Sequence, residues 1–508
     1  GKMQRKSGIT LISLVVTIVI LLILVGITIA ALTGNNGLFI KVQEAKKETE
    51  QAEKEEKEKL GDMEDTINEY TTGTEVQQVT DKNPGILEGT GTEADPYTIN
   101  SIEDLIFFAY NVTNGNTYDG QTVKLGLSLD FNSNKSYVEP LRTDYGNYGY
   151  DGELKTLLTS GEGFIPIGTN ESIKDDSNNV ISSTKSFKGT FDGSNNTISN
   201  LYIQSENTTA NAEYRGLFAI NYGIIKNLGL INTNIITKGY IATGSIAGIN
   251  SNEINNCFNN GGILKQDSDS WVPIGGISAL IGESATIKNC YNSAEITRIN
   301  SGSNANAVAG GIVGQSSQGA VLIEKCYNRG NIIVTAEKVD INAGGIIGYS
   351  RNEVKNCYNL GRIEATSNVS QSVGGCVGAS EKGKDISNCY NLGQLNIGGQ
   401  EFTGYIGGIC GNNYANTIYN VFNTGNIIVE KQNSSIIGGL AGGRYQGNII
   451  NGYNLGNIKV GDYSNDKIGS IIGERWDITL SGCAYLKDTY KKPIGSYHGE
   501  NDNDERNN

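Results

Sequence analysis

The sequence predicts a mainly β protein: a parallel β-helix of about ten or more rungs, preceded by a long N-terminal helix that is first hydrophobic and then charged. Three observations predict it. A six-residue phrase recurs, as NCYNLG at 356–361 and 388–393, with the variants NCFNNG at 256, NCYNSA at 289, KCYNRG at 325, NVFNTG at 420 and NGYNLG at 451. The 508 residues include 67 Gly but 6 Pro, with abundant Asn and Ile, a composition that suits strands joined by tight turns. No charge occurs from Ile9 to Ile40, a length that accommodates a bilayer-spanning helix.

The N-terminus is a different material from the rest. Lys2, Arg5 and Lys6 precede an apolar run, Ile9–Leu32. Basic residues ahead of such a run place the bulk of the chain outside the cytoplasm. The stretch RKSGITLISLVVTIVILLILVGITIAALTGNNG resembles the prepilin-type N-terminus of type IV pilins and pseudopilins, in the form common in Gram-positive bacteria. That resemblance implies a leader, 1–8, removed by a prepilin peptidase between Gly8 and Ile9, and a pilus or pseudopilus as partner. Two positions depart from the family. Ile9 stands where Phe or Met is usual, and Ser13 stands where the family carries the Glu that pairs with a neighbour's terminal amine. The expected role is therefore minor, tip-located or simply anchoring, with residues 9–32 in the membrane.

The hydrophobic helix is expected to end within 9–37, at TGNNG (33–37). Residues 38–70 then read as a solvated helical spacer, with Glu→Lys pairs four apart at Glu50–Lys54, Glu53–Lys57 and Glu55–Lys59. Residues 71–88 are a polar linker, 89–486 the repeat region, and 487–508 a polar tail expected to be disordered. GTGTEADPYTI at 89–99 resembles the stretch that opens many bacterial β-helix adhesin domains. FKGTFDGSNNTISNLYI (187–203) and GGIVG (310–314) resemble the GLUG-motif repeat of bacterial surface proteins. The resemblance implies a surface-displayed β-helix.

Internal periodicity supports that architecture by itself. A GGIxG element recurs at Gly310–Gly314, Gly344–Gly348, Gly374–Gly378, Gly407–Gly411 and Gly438–Gly442. A second register position falls at Leu201, Leu228, Cys257, Cys290, Cys326, Cys357, Cys389, Val421, Gly452 and Cys483, which makes ten units. One unit per turn stacks like residues about 4.8 Å apart.

Side-chain parity assigns the faces. In CYNLGRIEA (357–365), Arg362 and Glu364 must meet water, so Cys357, Asn359, Gly361 and Ile363 point inward. Val354 lies an odd step from Cys357, so the chain must bend between them, and Asn356 tolerates the positive φ of a bend. Asn259, Asn292, Asn328, Asn359, Asn391, Asn423 and Asn454 then form an inward ladder whose stacked amides satisfy one another. Val421 and Gly452 in the cysteine slot fit small-residue packing rather than a disulfide or metal system. No CxxC is present, so no metal site is expected.

The same parity sets Phe258, Tyr291, Tyr327, Tyr358, Tyr390, Phe422 and Tyr453 in one outward row, the candidate ligand-binding surface for a sugar ring or a protein partner. Loops between strands are the other candidate. Of the carboxylates Glu253, Glu283, Glu324, Glu353 and Asp385, not all keep one offset from the motif (Glu283 and Glu324 depart from the four-residue step to the cysteine), and no acid/base pair is marked. FDGSN and the DSDS at 267–270 lack the spacing of a known calcium loop. A formal charge of −14 argues against nucleic acid, and one His against histidine chemistry. The expectation is a cofactor-free, non-enzymatic, single-pass membrane protein of a Gram-positive surface, presenting a β-helix for adhesion to a glycan or protein. The alternative is a polysaccharide-degrading lyase or hydrolase on the same anchor.

Overall fold

The rung that contains Cys357 shows how the phrase folds. Glu353–Lys355 is a strand; Asn356 turns the chain with φ 55°; Cys357 fills the corner; and Tyr358–Asn359 and Ile363–Ser367 continue along the next flank. A turn leads to Ser370–Gly374, the glycine pair turns again, and Val377–Ser380 completes the circuit. Five short strands make one rung where three runs were read from the sequence. Gly361 and the glycine pair are breaks in pairing that the runs concealed.

Successive rungs pair in parallel and in register. Tyr327 lies against Tyr358 and Tyr358 against Tyr390, while Gly344 lies against Gly374 and Gly374 against Gly407. The strands form one 28-stranded sheet that wraps the asparagine corner, a 10-stranded sheet and a 9-stranded sheet. Each rung thus bonds only to its neighbours, as in solenoids generally. It has about nine turns rather than ten or more, because the nine-stranded face begins only at Glu213–Arg215. The computed structural model describes residues 87–131 and 163–498 apart from short stretches within the second span, all in the unit Asn83–Asn508. The leader, Gly8 and Ile9, the apolar segment 9–37 and the spacer 38–70 lie outside the described residues. Among those described, no helix is long and apolar enough to cross a membrane.

The asparagine corner holds as expected. Asn227, Asn256, Asn289, Asn356, Asn388, Asn420 and Asn451 all have φ between 51° and 55°, and Lys325 takes 53° in the rung without Asn. Their amides step from rung to rung, Asn388 to Asn356 at 2.9 Å and Asn420 to Asn388 at 3.1 Å.

Two elements depart from the reading. Ile102–Thr113 is an α-helix inside the region read as all repeat. Ser101 caps it, its Oγ accepting from the Asp104 N–H at 3.0 Å, and Leu105, Ile106, Phe108, Ala109 and Val112 are buried. Phe108 packs on Phe187, Phe191 and Phe218 and closes the first end of the core. The solenoid also passes the expected boundary at 486. Ile494–His498 pairs with Ile472–Trp476 as the last strand of its sheet, so part of the 487–508 tail belongs to the fold. Its short apolar content, Ile494 alone with alternating small residues, hid that strand.

Candidate binding surface

The inward columns position the outward ones. Asn259, Asn292, Asn328, Asn359, Asn391, Asn423 and Asn454 are fully buried. Each amide of the first six donates to the next rung's Oδ1, at 3.1, 3.0, 2.9, 2.9, 2.8 and 3.0 Å in order. From Asn292 onward each also donates to the carbonyl two residues ahead, as Asn359 does to Gly361 at 2.8 Å. The glycine pair is shaped by this ladder. A Cβ on Gly345 would lie 2.3 Å from Cγ of Asn359 and 2.1 Å from the Gly375 carbonyl oxygen. The two sequence motifs are thus the two walls of one close contact across the core.

The cysteines fill the corner slot as free thiols; Cys257, Cys290, Cys326, Cys357 and Cys389 are buried and Cys483 is half-buried. Cys357 Sγ lies 3.1 Å from the Lys355 carbonyl. Burial pushes up the thiol of Cys483 in this column, and those of Cys376 and Cys410, which stand beside the glycine pair instead, Cys410 to about 12. Such thiols are poor nucleophiles and poor ligands. Among the described residues no group of three or more His, Cys, Asp or Glu is placed to hold a metal. In FDGSN, Asp192 accepts from the Ser194 N–H at 2.8 Å and from Asn227 at 3.0 Å, so its carboxylate shapes a turn.

With the inward set fixed, the aromatic row stands outward, but its chemistry differs from the expectation. Phe258, Tyr291, Tyr327, Tyr358, Tyr390 and Phe422 stack face to face, with centroids 4.9, 4.9, 4.8, 4.6 and 4.7 Å apart and planes within 7°. Tyr453 continues the register after Phe422. The ring faces between rungs are therefore occupied by neighbouring rings, and edges and hydroxyls point outward. The rings are half-buried rather than hydrated. Burial pushes the Tyr291 phenol up to about 12. It raises Tyr327 and Tyr358 as well, helped by the neighbouring phenols. At Arg329 a guanidinium sits 5.3 Å from the Tyr327 ring centroid.

Beside the row runs a mixed column, Asn260, Ser293, Arg329, Leu360, Leu392, Thr424 and Leu455, that adds two exposed leucines the parity of the row did not single out. Leu392 and Leu455 are 44% and 45% exposed two positions beyond Tyr390 and Tyr453 on the same face. Their position after the inward Asn in NLG was the available signal. The flank offers ring edges and phenolic hydroxyls along its length, with leucine methyls at Leu392 and Leu455.

A repeated rung of this kind defines the molecule as a parallel β-solenoid with a stacked aromatic flank. No protein-family model and no curated protein matches this sequence. One solved structure similar to it is that of a "putative immunoglobulin A1 protease" from Bacteroides ovatus, at 21% identity and a TM-score of 0.40, covering 60% of this chain and 79% of that one.

Proposed function

We propose that this protein is a membrane-anchored, pilin-like component of a Gram-positive cell surface that presents its solenoid for adhesion to a glycan or a surface protein. The observation that carries the reading is the flank: a stacked aromatic row continuous over six rungs, with exposed Leu392 and Leu455 beside its later part. Monomeric proteins seldom leave an ordered apolar stripe in water without a partner for it. The anchoring half rests on the sequence alone, on Lys2, Arg5 and Lys6 before Gly8 and the charge-free run after Ile9.

Two measurements test the halves separately. N-terminal sequencing of the surface form is expected to begin at Ile9, and Gly8→Asp to leave Lys2–Ser7 attached. A surface form that retains the leader reduces the segment to a plain anchor and removes the prepilin peptidase and pilus partners. Cells displaying Tyr327→Ser/Tyr358→Ser/Tyr390→Ser are expected to lose adhesion. Reducing-sugar release from a bound polysaccharide would overturn the binding role in favour of the enzymatic one.

A further inference from the structure

The solenoid breaks its own rule at one corner. One inward column runs Val334, Ala365, Ile397 and Val429 through the later rungs, all buried and apolar. In the rungs before them the same column is Ser205, Thr237, Gln266 and Arg298, also buried but polar. Burying such groups costs stability unless each is bonded, and a guanidinium costs most. Most of their donors bond to neighbouring loops and strands, while Gln266 Oε1 and Arg298 Nε find no partner among the described residues. Gln266 donates to the carbonyls of Ile241 and, at 3.1 Å, Pro273. Arg298 is completely buried and donates to the carbonyls of Ser268 at 2.6 Å and Ser270 at 2.9 Å. Ser205 accepts from Arg215 Nε at 3.0 Å. What these bonds fix is the loop 268–273 and, in it, an exposed tryptophan.

The loops there are uneven. Tyr240 alone joins Gly229–Gly239 to Ile241–Gly244, whereas 208–212 and 268–273 are long loops on the two adjoining rungs and 301–306 on the next. A short turn between long ones leaves a cleft of about 900 Å³, whose floor is Tyr240 and whose wall is Trp271. Trp271 stands edge-on to Tyr240, with centroids 5.9 Å apart and planes at 87°, and its Nε1–H donates to the Tyr240 hydroxyl. On the other side of the same two rings a second recess of about 850 Å³ opens, bordered by Tyr110, Tyr214 and Arg215. Trp271 is 44% exposed between the two.

We propose that this double cleft is a binding site for a neutral oligosaccharide, with one sugar ring against the face of Trp271 and further units in the two recesses. The site lies apart from the aromatic flank and does not depend on it. A large, rigidly held indole supplies the apolar contact; Asp269, Ser270, Ser301 and Asn304 supply the hydrogen-bonding groups a polyol needs. Charge sets the class of sugar. Glu206 is neutralised by Lys238 at 2.8 Å and Glu213 by Arg215 at 2.5 Å. Asp267 and Asp269 at the lip outnumber the one buried guanidinium behind them, Arg298, and leave a net negative charge, so acidic sugars are disfavoured and neutral or N-acetylated ones admitted.

The test is calorimetric titration of the full chain with chitotetraose and cellotetraose, and with tetragalacturonic acid as the acidic arm. At least one neutral tetramer is expected to bind, with intrinsic tryptophan fluorescence changing on binding, and the acidic one to bind at least about tenfold more weakly. Trp271→Ala, at an exposed position, is expected to keep the melting temperature and lose at least about tenfold in affinity. Tyr327→Ser/Tyr358→Ser/Tyr390→Ser is expected to leave this affinity unchanged, which separates failure of the cleft from failure of the flank. Absence of binding by both neutral tetramers, or binding that survives Trp271→Ala, overturns the proposal.

Discussion

Replacing Asn359 by Ala tests the physical basis of the whole rod. Its side chain takes part in four hydrogen bonds: it accepts from Asn328 at 2.9 Å and from the Gly361 N–H at 3.2 Å, and donates to the Gly361 carbonyl at 2.8 Å and to Asn391 at 2.9 Å. A net hydrogen bond is worth about 0.5–1.5 kcal/mol, and a buried group stripped of its partner costs about 1–3 kcal/mol, so the expected loss is roughly 3–5 kcal/mol. Asn259 provides the internal control. It is equally buried and occupies the same column, yet it donates to Asn292 at 3.1 Å while its own Oδ1 has no partner. Asn259→Ala removes the same atoms from the same kind of slot and is expected to cost about 1–2 kcal/mol. The difference between the two variants isolates the ladder from the cavity. Urea unfolding gives the two losses, and amide exchange at Gly361 and Gly393 reports the rungs directly. A repeat array need not unfold in one step, so the exchange rates carry the comparison if the midpoints broaden. Equal losses at Asn259 and Asn359 would refute the claim that rung-to-rung amides hold the interior.

Cys357→Ala is expected to cost about 1 kcal/mol or somewhat more, with reductant and chelator leaving the melting temperature unchanged; thiol labelling of the native protein should reach half-buried Cys483 before the buried cysteines. Gly345→Ala is expected to be worse than its single methyl suggests, by roughly 1–3 kcal/mol of overpacking, because the new Cβ meets Asn359 and the Gly375 carbonyl; a denaturation midpoint checks it. Tyr327→Ser/Tyr358→Ser/Tyr390→Ser deletes four stacked contacts, so a stability loss of roughly 2–6 kcal/mol should accompany any loss of adhesion; a native melt would show the stack to be energetically idle. Alkaline pH should act on the same row. Tyr291 ionises at about 12 when folded against 10.0 as its ordinary value, so the folded state holds the extra proton. This stabilisation is whole below pH 10 and lost as pH rises through about 12. Burial lowers Arg298 from its ordinary value, a shift of the opposite sense, but its guanidinium donates to backbone carbonyls and stays charged over this range. Absorbance titration should show tyrosines ionising together with unfolding, and a single class near pH 10 would contradict it.

The rung was legible because its sequence repeats. Parity at Arg362 and Glu364 gave the inward set, an odd step from Val354 to Cys357 gave the bend, and Asn356 stands there with positive φ. Substitution within the column, Val421 and Gly452 for Cys, excluded cross-links before any geometry was known. The flank was half legible. Parity gives the direction of Tyr327 and Tyr358, but not that each ring covers its neighbour, because coverage depends on rung spacing and a shared rotamer. The capping helix was overlooked although Ser101 and Asp104 mark its start, since a single 12-residue element carries no period to detect. The polar column behind the cleft was invisible for a related reason. Gln266 and Arg298 share the inward parity of Leu264 and Ile296, but their polar character reads as solvent-facing until the register pairs them with Val334.

The stacking energy of such a rod is a nearest-neighbour sum, so its two ends decide how it comes apart. They are built differently. At the first end the inward side chains are closed by Phe108 of the helix Ile102–Thr113, packed on Phe187, Phe191 and Phe218, all essentially inaccessible to water. At the other end Cys483 is half-buried and Leu486 is 54% exposed, while the closing strand Ile494–His498 pairs on one side only. Among the described residues the ladders thus begin from a sealed face and end at a more exposed one, and the expected order of opening, checked by amide exchange rung by rung, runs from the C-terminal rungs toward the helix. The aromatic stack from Phe258 to Phe422 and the cleft at Trp271 both lie before the last rungs. Both candidate surfaces thus lie on rungs away from that less sealed end.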